Sequence, residues 1–253
     1  MRTSNLLLLT LGIIIVTSIV SIQLYPSVQD FMDSNAMWNG VRAFSKKYQT
    51  QNTNSLEIVA ESPEDTVLIS IPYLEYSPEE MEKLKQFTEK GGALIIMDDF
   101  GYGNRLLEYL GLETRFAVDP LLDPLFCYKN PYLPRISDFS DRIKKSGVKS
   151  ILLNHATVLI NIDHEQGLAW SSDQSFLDRN RNGEWEEGEA QGPFPVAAEI
   201  SLGRGLIRLV SDTGMITNSM LGQAENEQFM QMLIKRENAS YRVILDQSHL
   251  AKS

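Results

Sequence analysis

A capped helix followed directly by a buried strand is encoded in SPEEMEKLKQFTEKGGALIIMDD, residues 77–99. Ser77 is placed as the N-cap, Pro78 takes the first helical position, and Glu80 follows three residues after the cap, which is the pattern of a capping box. The glycine pair after the helix favours a helix end, because glycine readily adopts the left-handed conformation. The strand that follows is apolar on both faces, as in parallel sheets covered by helices on both sides.

The alternation of helices and strands continues on both sides of this stretch. Upstream, NAMWNGVRAFSKKY predicts a helix with Met37, Val41 and Phe44 on one face, and SLEIVA and DTVLISIPY predict buried strands. Downstream, GNRLLEYLG predicts a short helix and LETRFAV a further strand. Prolines at four positions mark residues 119–149 as an insertion without long regular elements.

The C-terminal half shows β-like runs in SILLNHATVLI, GLAWSSD, PVAAEISLG and GLIRLVSD. The turn at Gly203 to Gly205 suggests a hairpin that leads into a central strand. A helix, AENEQFMQMLIKR, and a last strand, YRVILDQ, complete the pattern. The order predicts one α/β domain over residues 36–253, built on a parallel sheet with helices on both faces.

Composition narrows the classes of function. The 253 residues carry a net charge of −10, and no run of Lys and Arg forms the basic face that a nucleic acid requires. The short pair Lys144 and Lys145 is typical of a solvated helix face. A single cysteine, Cys127, cannot form an internal disulfide, so the fold depends on its core.

The N-terminal segment predicts a membrane anchor. Residues 6–24, LLLLTLGIIIVTSIVSIQL, are uncharged and long enough to cross ~30 Å of hydrocarbon. The alternative is a cleaved signal peptide, although no small-residue cleavage site follows Leu24. Arg2 precedes the span and the next basic residue is Arg42, which places the N-terminus in the cytoplasm. The predicted order is a signal-anchor helix (1–24), a juxtamembrane connector (25–35) and an extracytoplasmic domain.

A calcium-type loop is predicted in DRNRNGEWEEGE, residues 178–189. The EF-hand pattern places oxygen ligands at positions 1, 3, 5, 7, 9 and 12 and a glycine at position 6. Gly183 occupies the glycine position, and the ligand positions are Asp178, Asn180, Asn182, the backbone carbonyl of Glu184, Glu186 and Glu189. The alternative is an acidic surface turn. The prolines after the loop exclude a flanking helix, so the expected calcium ion is structural.

A second group of polar residues is predicted at the carboxyl edge of the sheet, where open α/β sheets bind ligands. The candidate ligand-binding residues are Asp98, Asp99, Gly101, Asn104 and Asp212. Adjacent aspartates favour a cation or a polar ligand over an anion. The alternative is that Asp99 and Asp212 cap the turns and helices after them.

Two further residues, Asp246 and His249, follow the last strand. An aspartate and a histidine three positions apart could share a metal ion. The alternative is a solvated tail.

Three stretches resemble a known family: WNG near the start, LEYSPEEMEKLKQFTEKGGALIIMDDFGYGNRLLEYLGL, and ISLGRGLIRLVSDTGMITNSML with Asn226 after it. The chain resembles, over about residues 35–237, an uncharacterised prokaryotic membrane-anchored family, a domain of unknown function. The family's fold is similar to class I glutamine amidotransferases. The resemblance implies a flavodoxin-like parallel sheet outside the membrane, and a part in envelope assembly or transport.

The amidotransferase chemistry does not carry over from that resemblance. In glutamine amidotransferases the catalytic cysteine stands on a strained strand-to-helix turn, whereas Cys127 of this chain lies in PLFCYKNP without bracketing glycines. The sequence therefore predicts a non-catalytic, membrane-anchored extracytoplasmic domain that binds a ligand or an envelope protein and carries a structural calcium ion. The alternative is a surface hydrolase that uses the acidic carboxyl edge.

Overall fold

The computed structural model describes residues 10–18, 28–236 and 240–250. Residues 10–18 are helical. The other α-helices are α1 (Arg42–Tyr48), α2 (Pro78–Glu89), α3 (Asn104–Tyr109), α4 (Asp141–Lys145) and α5 (Asn226–Ile234). Short 3₁₀ helices span Leu56–Ala60, Pro63–Asp65, His164–Gln166 and Gly214–Ile216.

The β-strands of the described residues are two to eight residues long. They are β1 (Gln51–Thr53), β2 (Thr66–Ser70), β3 (Ala93–Met97), β4 (Arg115–Phe116), β5 (Leu121–Leu122), β6 (Cys127–Tyr128), β7 (Asn130–Ile136), β8 (Asp138–Phe139), β9 (Ile151–Leu152), β10 (Leu159–Ile160), β11 (Gly167–Trp170), β12 (Phe176–Leu177), β13 (Pro195–Leu202), β14 (Gly205–Val210) and β15 (Arg242–Asp246).

An eight-stranded mixed sheet forms the centre of the domain, in the order β1-β15-β2-β3-β14-β13-β11-β8. The strands from β1 to β14 in this order pair in parallel. The strands β13, β11 and β8 add antiparallel pairs on one side. The predicted α/β domain is confirmed, but the sheet is mixed and not wholly parallel, because the β13–β14 hairpin reverses the chain direction.

The stretch 77–99 folds as its sequence predicts. The Ser77 hydroxyl accepts a bond from the Glu80 backbone N–H at 3.3 Å, and the Glu80 carboxylate accepts one from the Ser77 N–H at 2.8 Å. In β3, Ile95 packs into one apolar core and Ile96 into a second core on the other face. Both faces of the strand are therefore buried, as its unbroken apolar sequence indicates.

One predicted strand is wrong. SLEIVA contains a 3₁₀ helix, Leu56–Ala60, in place of a strand. The Ser55 side chain accepts a hydrogen bond from the Glu57 backbone N–H at 3.3 Å, and this local cap competes with a sheet ladder.

Most of the predicted membrane anchor, residues 6–24, lies outside the described residues. Within the part of the chain that the structure describes, none of the helices combines the length and the apolar character that a membrane crossing requires.

Candidate functional site

The carboxyl ends of β3 and β14 bring the predicted aspartates to one edge of the sheet. Asp98 follows β3 and is fully buried. Its carboxylate accepts bonds from the backbone N–H groups of Phe100 at 2.8 Å, Gly101 at 2.9 Å and Gly103 at 2.6 Å. Burial raises the pKa of Asp98, and these three hydrogen bonds oppose the rise. Asp98 therefore shapes the turn into α3.

Asp212, after β14, has the same kind of role in the neighbouring turn. Its carboxylate accepts bonds from the N–H groups of Asn154 at 2.8 Å and Gly214 at 2.6 Å. Burial raises its pKa well above the usual range, and the nearby charge of Asp99 raises it further. These contacts agree with the alternative prediction for Asp212, in which its side chain caps the turn that follows.

Asn104 ties the start of α3 to β4. Its side-chain amide donates to the Phe116 carbonyl at 2.9 Å and accepts from the Phe116 N–H at 2.8 Å. Gly101 has a φ of +86°, which only glycine adopts without strain. Both residues thus support the loop around the aspartates.

Asp99 differs from its neighbours because part of its bonding capacity is unused. One carboxylate oxygen accepts a bond from the Thr213 hydroxyl at 2.9 Å. The other, Oδ1, is buried without a hydrogen-bond partner among the described residues. Burial raises the pKa of Asp99 to about 7, against the opposing effect of Thr213 and with a contribution from Asp98. This carboxyl group can therefore exchange a proton near neutral pH.

A cluster of aromatic side chains, here called the aromatic rim, includes Tyr73, whose hydroxyl is influenced by the charge of Asp99. It consists of Phe31, Tyr73, Phe100 and Tyr102, with the ring of Tyr73 5.5 Å from those of Phe31 and Phe100 and 6.5 Å from that of Tyr102. Phe100 and Tyr102 are 54% and 42% exposed. Burial raises the pKa of Tyr73, and the charge of Asp99 raises it further. This rim is not among the predicted sites, although the alternation of aromatic residues and glycines in DFGYGN indicates part of it.

The first half of the loop 178–189 is organised by Asp178, which is fully buried. Its carboxylate accepts bonds from the N–H groups of Asn182 at 3.0 Å and Gly183 at 2.8 Å. The Asn182 side-chain oxygen accepts one from the Glu184 N–H at 2.9 Å. Gly183 has a φ of +83°, so the glycine stands where the chain turns sharply.

The second half of the loop folds back onto the first. The Glu186 carboxylate accepts bonds from the side-chain amides of Asn180 at 3.0 Å and Asn182 at 2.7 Å. Glu189 accepts bonds from the N–H groups of Arg179 at 2.9 Å and Glu186 at 3.1 Å. The residues predicted as calcium ligands are therefore brought together in one network.

No group of three or more His, Cys, Asp or Glu side chains arranged to hold a metal ion occurs in the described ranges. The carboxylates of the loop are held by its own amide groups, as described above. Calcium binding would require Glu186 and Glu189 to exchange these amide bonds for the ion.

The loop and the carboxyl edge are neighbours. The Asp178 N–H donates to the Pro120 carbonyl at 2.9 Å, and the Arg181 guanidinium donates to the Val118 carbonyl at 3.5 Å. A Cβ atom on Gly101 would lie 3.0 Å from the Val118 side chain. The segment 117–120 thus connects the two sites that the sequence predicted separately.

Asp246 and His249 form a buried ion pair and not a solvated tail. They are 1% and 4% exposed, and the ring of Tyr76 lies 4.3 Å from that of His249. His249 Nδ1 lies 2.7 Å from the Asp246 carboxylate, and its Nε2 lies 3.5 Å from Glu80. The pair therefore ties the segment after β15 to the start of α2.

Comparisons with known proteins identify the family. The model of DUF4350, a domain of unknown function, matches residues 33–234. No curated protein sequence matches the chain. Among solved structures, the mmIFT52 N-terminal domain is 15% identical with a TM-score of 0.59, and the match covers 85% of this chain and 97% of that chain. At this identity the similarity concerns the fold alone.

Two other solved structures are more distant. The putative thua-like protein from Bacteroides uniformis is 10% identical with a TM-score of 0.37, covering 72% of this chain and 96% of that one. The beta-galactosidase from Bacillus circulans sp. alkalophilus is 14% identical with the same TM-score, covering 65% of this chain and 23% of that one. The family match spans most of the sequence and agrees with the resemblance to an uncharacterised family. The chain belongs to the DUF4350 family.

Proposed function

We propose that this protein is a membrane-anchored, extracytoplasmic binding domain that holds a protein partner at the carboxyl edge of its sheet. The proposed partner is a protein of the cell envelope that takes part in envelope assembly or in transport. One observation carries the proposal: Phe100 and Tyr102 of the aromatic rim are exposed beside Asp99, one oxygen of which has no hydrogen-bond partner among the described residues, at the edge where open α/β sheets bind ligands. Aromatic side chains with a nearby polar group are typical of the energetic centres of protein interfaces.

Binding fits the edge better than catalysis, because most of its polar groups are already engaged. Asp98 and Asp212 bond to backbone amides of their own turns. His249 is buried against Asp246. Cys127 stands in β6, which pairs with β7, and not on a turn between a strand and a helix.

The loop 178–189 is proposed to hold one structural calcium ion. Its glycine has a positive φ, as a sharp turn requires, and hydrogen bonds within the loop involve all five of its predicted side-chain ligand residues. An ion there would fix the loop against the segment 117–120, which packs beside the carboxyl edge. Its proposed role is therefore to support the binding surface.

The parallel half of the sheet supports a finer description of the fold. Strands β1, β15, β2, β3 and β14 run in parallel, with apolar cores on both faces. We propose that this half corresponds to the flavodoxin-like core of class I glutamine amidotransferases. Strands β13, β11 and β8 would then be an extension of that core.

Site-specific photo-crosslinking in native membranes tests the binding surface. A photo-reactive phenylalanine analogue at position 102 is expected to form an adduct with one discrete partner. The matched control is position 109, because Tyr109 is 40% exposed but lies at the far end of α3. Phe100→Ser should reduce the adduct at position 102, since it removes an aromatic contact. Equal labelling at positions 102 and 109 would contradict the proposed surface.

The alternative function is a hydrolase in which Asp99 acts as a general base. It is favoured by the pKa of about 7 that burial gives this carboxyl group, since a base works best near the ambient pH. Asp99→Asn separates the two functions. A hydrolytic activity that the parent shows and the folded variant lacks would support the hydrolase, whereas an unchanged adduct at position 102 without any hydrolysis supports binding.

The anchor is proposed from the apolar segment 6–24. In its described part the side chains of Leu11, Ile13 and Val16 are 54–59% exposed, so the helix has an apolar surface that a membrane would cover. Protease added to intact cells or spheroplasts is expected to remove the domain and leave a membrane-held stub. Protection of the whole chain until lysis would contradict this topology, and a mature form that begins after Leu24 would establish a cleaved signal.

A further inference from the structure

A basic cleft lies at the end of the sheet opposite the aromatic rim. It has a volume of about 700 Å³ and is bordered by Gly91, just before β3, and Leu206, at the start of β14. Its cationic lining side chains are Arg142, Arg204, Arg208, Lys235 and Arg236. Its acidic lining side chains are Glu64 and Glu199. The lining therefore has an excess of positive charge in a protein whose net charge is −10.

The floor of the cleft is a fixed guanidinium group. The Arg208 side chain is 5% exposed and lies 2.6 Å from the Glu199 carboxylate, and it also donates to the Leu233 carbonyl. Arg142 binds the same carboxylate through a second bond of 2.9 Å. One glutamate is thus shared by two arginines. Burial lowers the pKa of Arg208 against the effect of Glu199, and the charges of Arg142 and Arg236 lower it further, so the cations repel one another.

The rim of the cleft carries the remaining cations. Arg236 donates to two backbone carbonyls, those of Glu64 at 2.8 Å and Gly91 at 2.6 Å. Arg204 lies 3.0 Å from the Glu64 carboxylate, in a pair that is largely exposed. Such a surface pair holds its members weakly. An arginine has five N–H donors, so these contacts leave donors for a ligand.

We propose that this cleft binds a small anion that carries two or more phosphate or carboxylate groups. The arginine forks suit such groups, because guanidinium donors bind the paired oxygens of phosphate and carboxylate. The volume lies within the range of small-molecule sites and exceeds that of a single phosphate. Shared negative charge on the ligand would also relieve the repulsion among the cations. The site is independent of the rim, because it lies at the amino ends of β3 and β14.

The same anionic chemistry could come from a free metabolite or from a lipid headgroup. The test is isothermal titration of the full chain in neutral detergent with pyrophosphate, inorganic phosphate and bis(glycerophospho)glycerol, a soluble lipid headgroup that carries two phosphodiester groups. Tighter binding of pyrophosphate indicates a free multivalent anion. Tighter binding of bis(glycerophospho)glycerol indicates a lipid headgroup, whereas binding of inorganic phosphate as tightly as both would contradict a site for two anionic groups. Added salt should weaken the binding of either anion, because salt screens the attraction between charges.

The double variant Arg204→Gln/Lys235→Gln is expected to weaken binding about tenfold or more, since each cation supplies a charge-assisted hydrogen bond. The matched control is Lys46→Gln/Arg105→Gln, which removes the same charge outside the cleft and should leave the affinity unchanged. Arg208 is left intact, because its loss would remove a partner of the half-buried Glu199. A melting temperature equal to the parent's confirms that the double variant folds. Absence of binding by all three anions, or equal affinities of the two double variants, would overturn the proposal.

Discussion

Replacement of Asp246 by asparagine is expected to lower the free energy of unfolding by about 3–5 kcal/mol, the usual cost of removing one partner from a buried ion pair. Asp246 is buried, pairs with His249 at 2.7 Å and accepts a bond from the Ser70 hydroxyl at 2.8 Å. Asparagine cannot neutralise a protonated His249, whose other nitrogen faces Glu80. Urea unfolding at pH 6 measures the loss.

The control is Asp138→Asn. Asp138 forms an ion pair with Lys144 in which both side chains are more than half exposed, and such pairs contribute about 0–1 kcal/mol. Equal losses in the two variants would show that the Asp246–His249 pair does not stabilise the fold.

The stability lost in Asp246→Asn depends on pH, and this dependence follows from the pKa shifts of His249 and Asp246. Burial alone would lower the pKa of His249, but the hydrogen bond and charge of Asp246 raise it above 6.5. Burial alone would raise the pKa of Asp246, but His249 lowers it below 3.8. The histidine contribution is therefore complete below about pH 6.5 and is lost as the pH rises through the folded pKa. The aspartate contribution is present above about pH 4 and is lost as the pH falls through its folded pKa.

The difference in stability between the parent and Asp246→Asn should thus be largest between about pH 4 and 6.5 and should shrink at higher pH. Asp99 also has a pKa of about 7. Because the parent and Asp246→Asn both contain Asp99, its effect on stability cancels in the difference between them. A difference that stays constant from pH 6 to pH 9 would contradict a protonated His249.

Calcium is expected to raise the melting temperature in a saturable way. An ion that binds only the native state stabilises it by about 2.7 kcal/mol at a hundredfold excess over Kd, and extracellular sites of this type have a Kd of roughly 10⁻⁴ to 10⁻³ M. Without the ion, Asp178, Glu186 and Glu189 crowd negative charge within one loop. Magnesium should stabilise less, because it requires a tighter octahedral shell.

Glu189→Gln is expected to abolish most of the calcium-dependent shift, because it removes the carboxylate at position 12 of the loop. Glu187→Gln is the matched control, since Glu187 stands at a position without a ligand role. Thermal unfolding with and without calcium measures both. Identical shifts in the two variants, or no shift in the parent, would identify the loop as an acidic turn.

The local features of this fold could be predicted from the sequence because their causes are local. The capping box of α2 and the two-faced strand β3 each depend on neighbouring residues, and both are confirmed. The loop 178–189 is also local, and hydrogen bonds connect its predicted ligand residues, whereas calcium binding stays a prediction. The strand predicted over SLEIVA is wrong, because its β-branched residues favour a strand whereas Ser55 caps a 3₁₀ helix.

The features that could not be predicted depend on distant parts of the chain. The basic cleft is lined by Arg142 on α4, Arg208 on β14 and Arg236 after α5. Because these arginines are far apart in the sequence, no continuous run of basic residues predicts the cleft. Asp246 and His249 look like a polar tail until Tyr76 and Glu80 cover them. The capping role of Asp98 could not be predicted either, because only the folded turn brings three backbone N–H groups within hydrogen-bond distance of its carboxylate.

The position of β15 sets an order on folding. This strand lies between β1 and β2, and it pairs Val243 with Val67 and Ile244 with Gln51. Before β15 is in place, β1 has no neighbour in the sheet and one edge of β2 is open. Contacts of such long sequence separation form slowly, because a long loop must close first. A growing chain therefore cannot complete the parallel half of the sheet until residues 242–246 have been made, and until then the exposed edge of β2 is open to pairing with other chains.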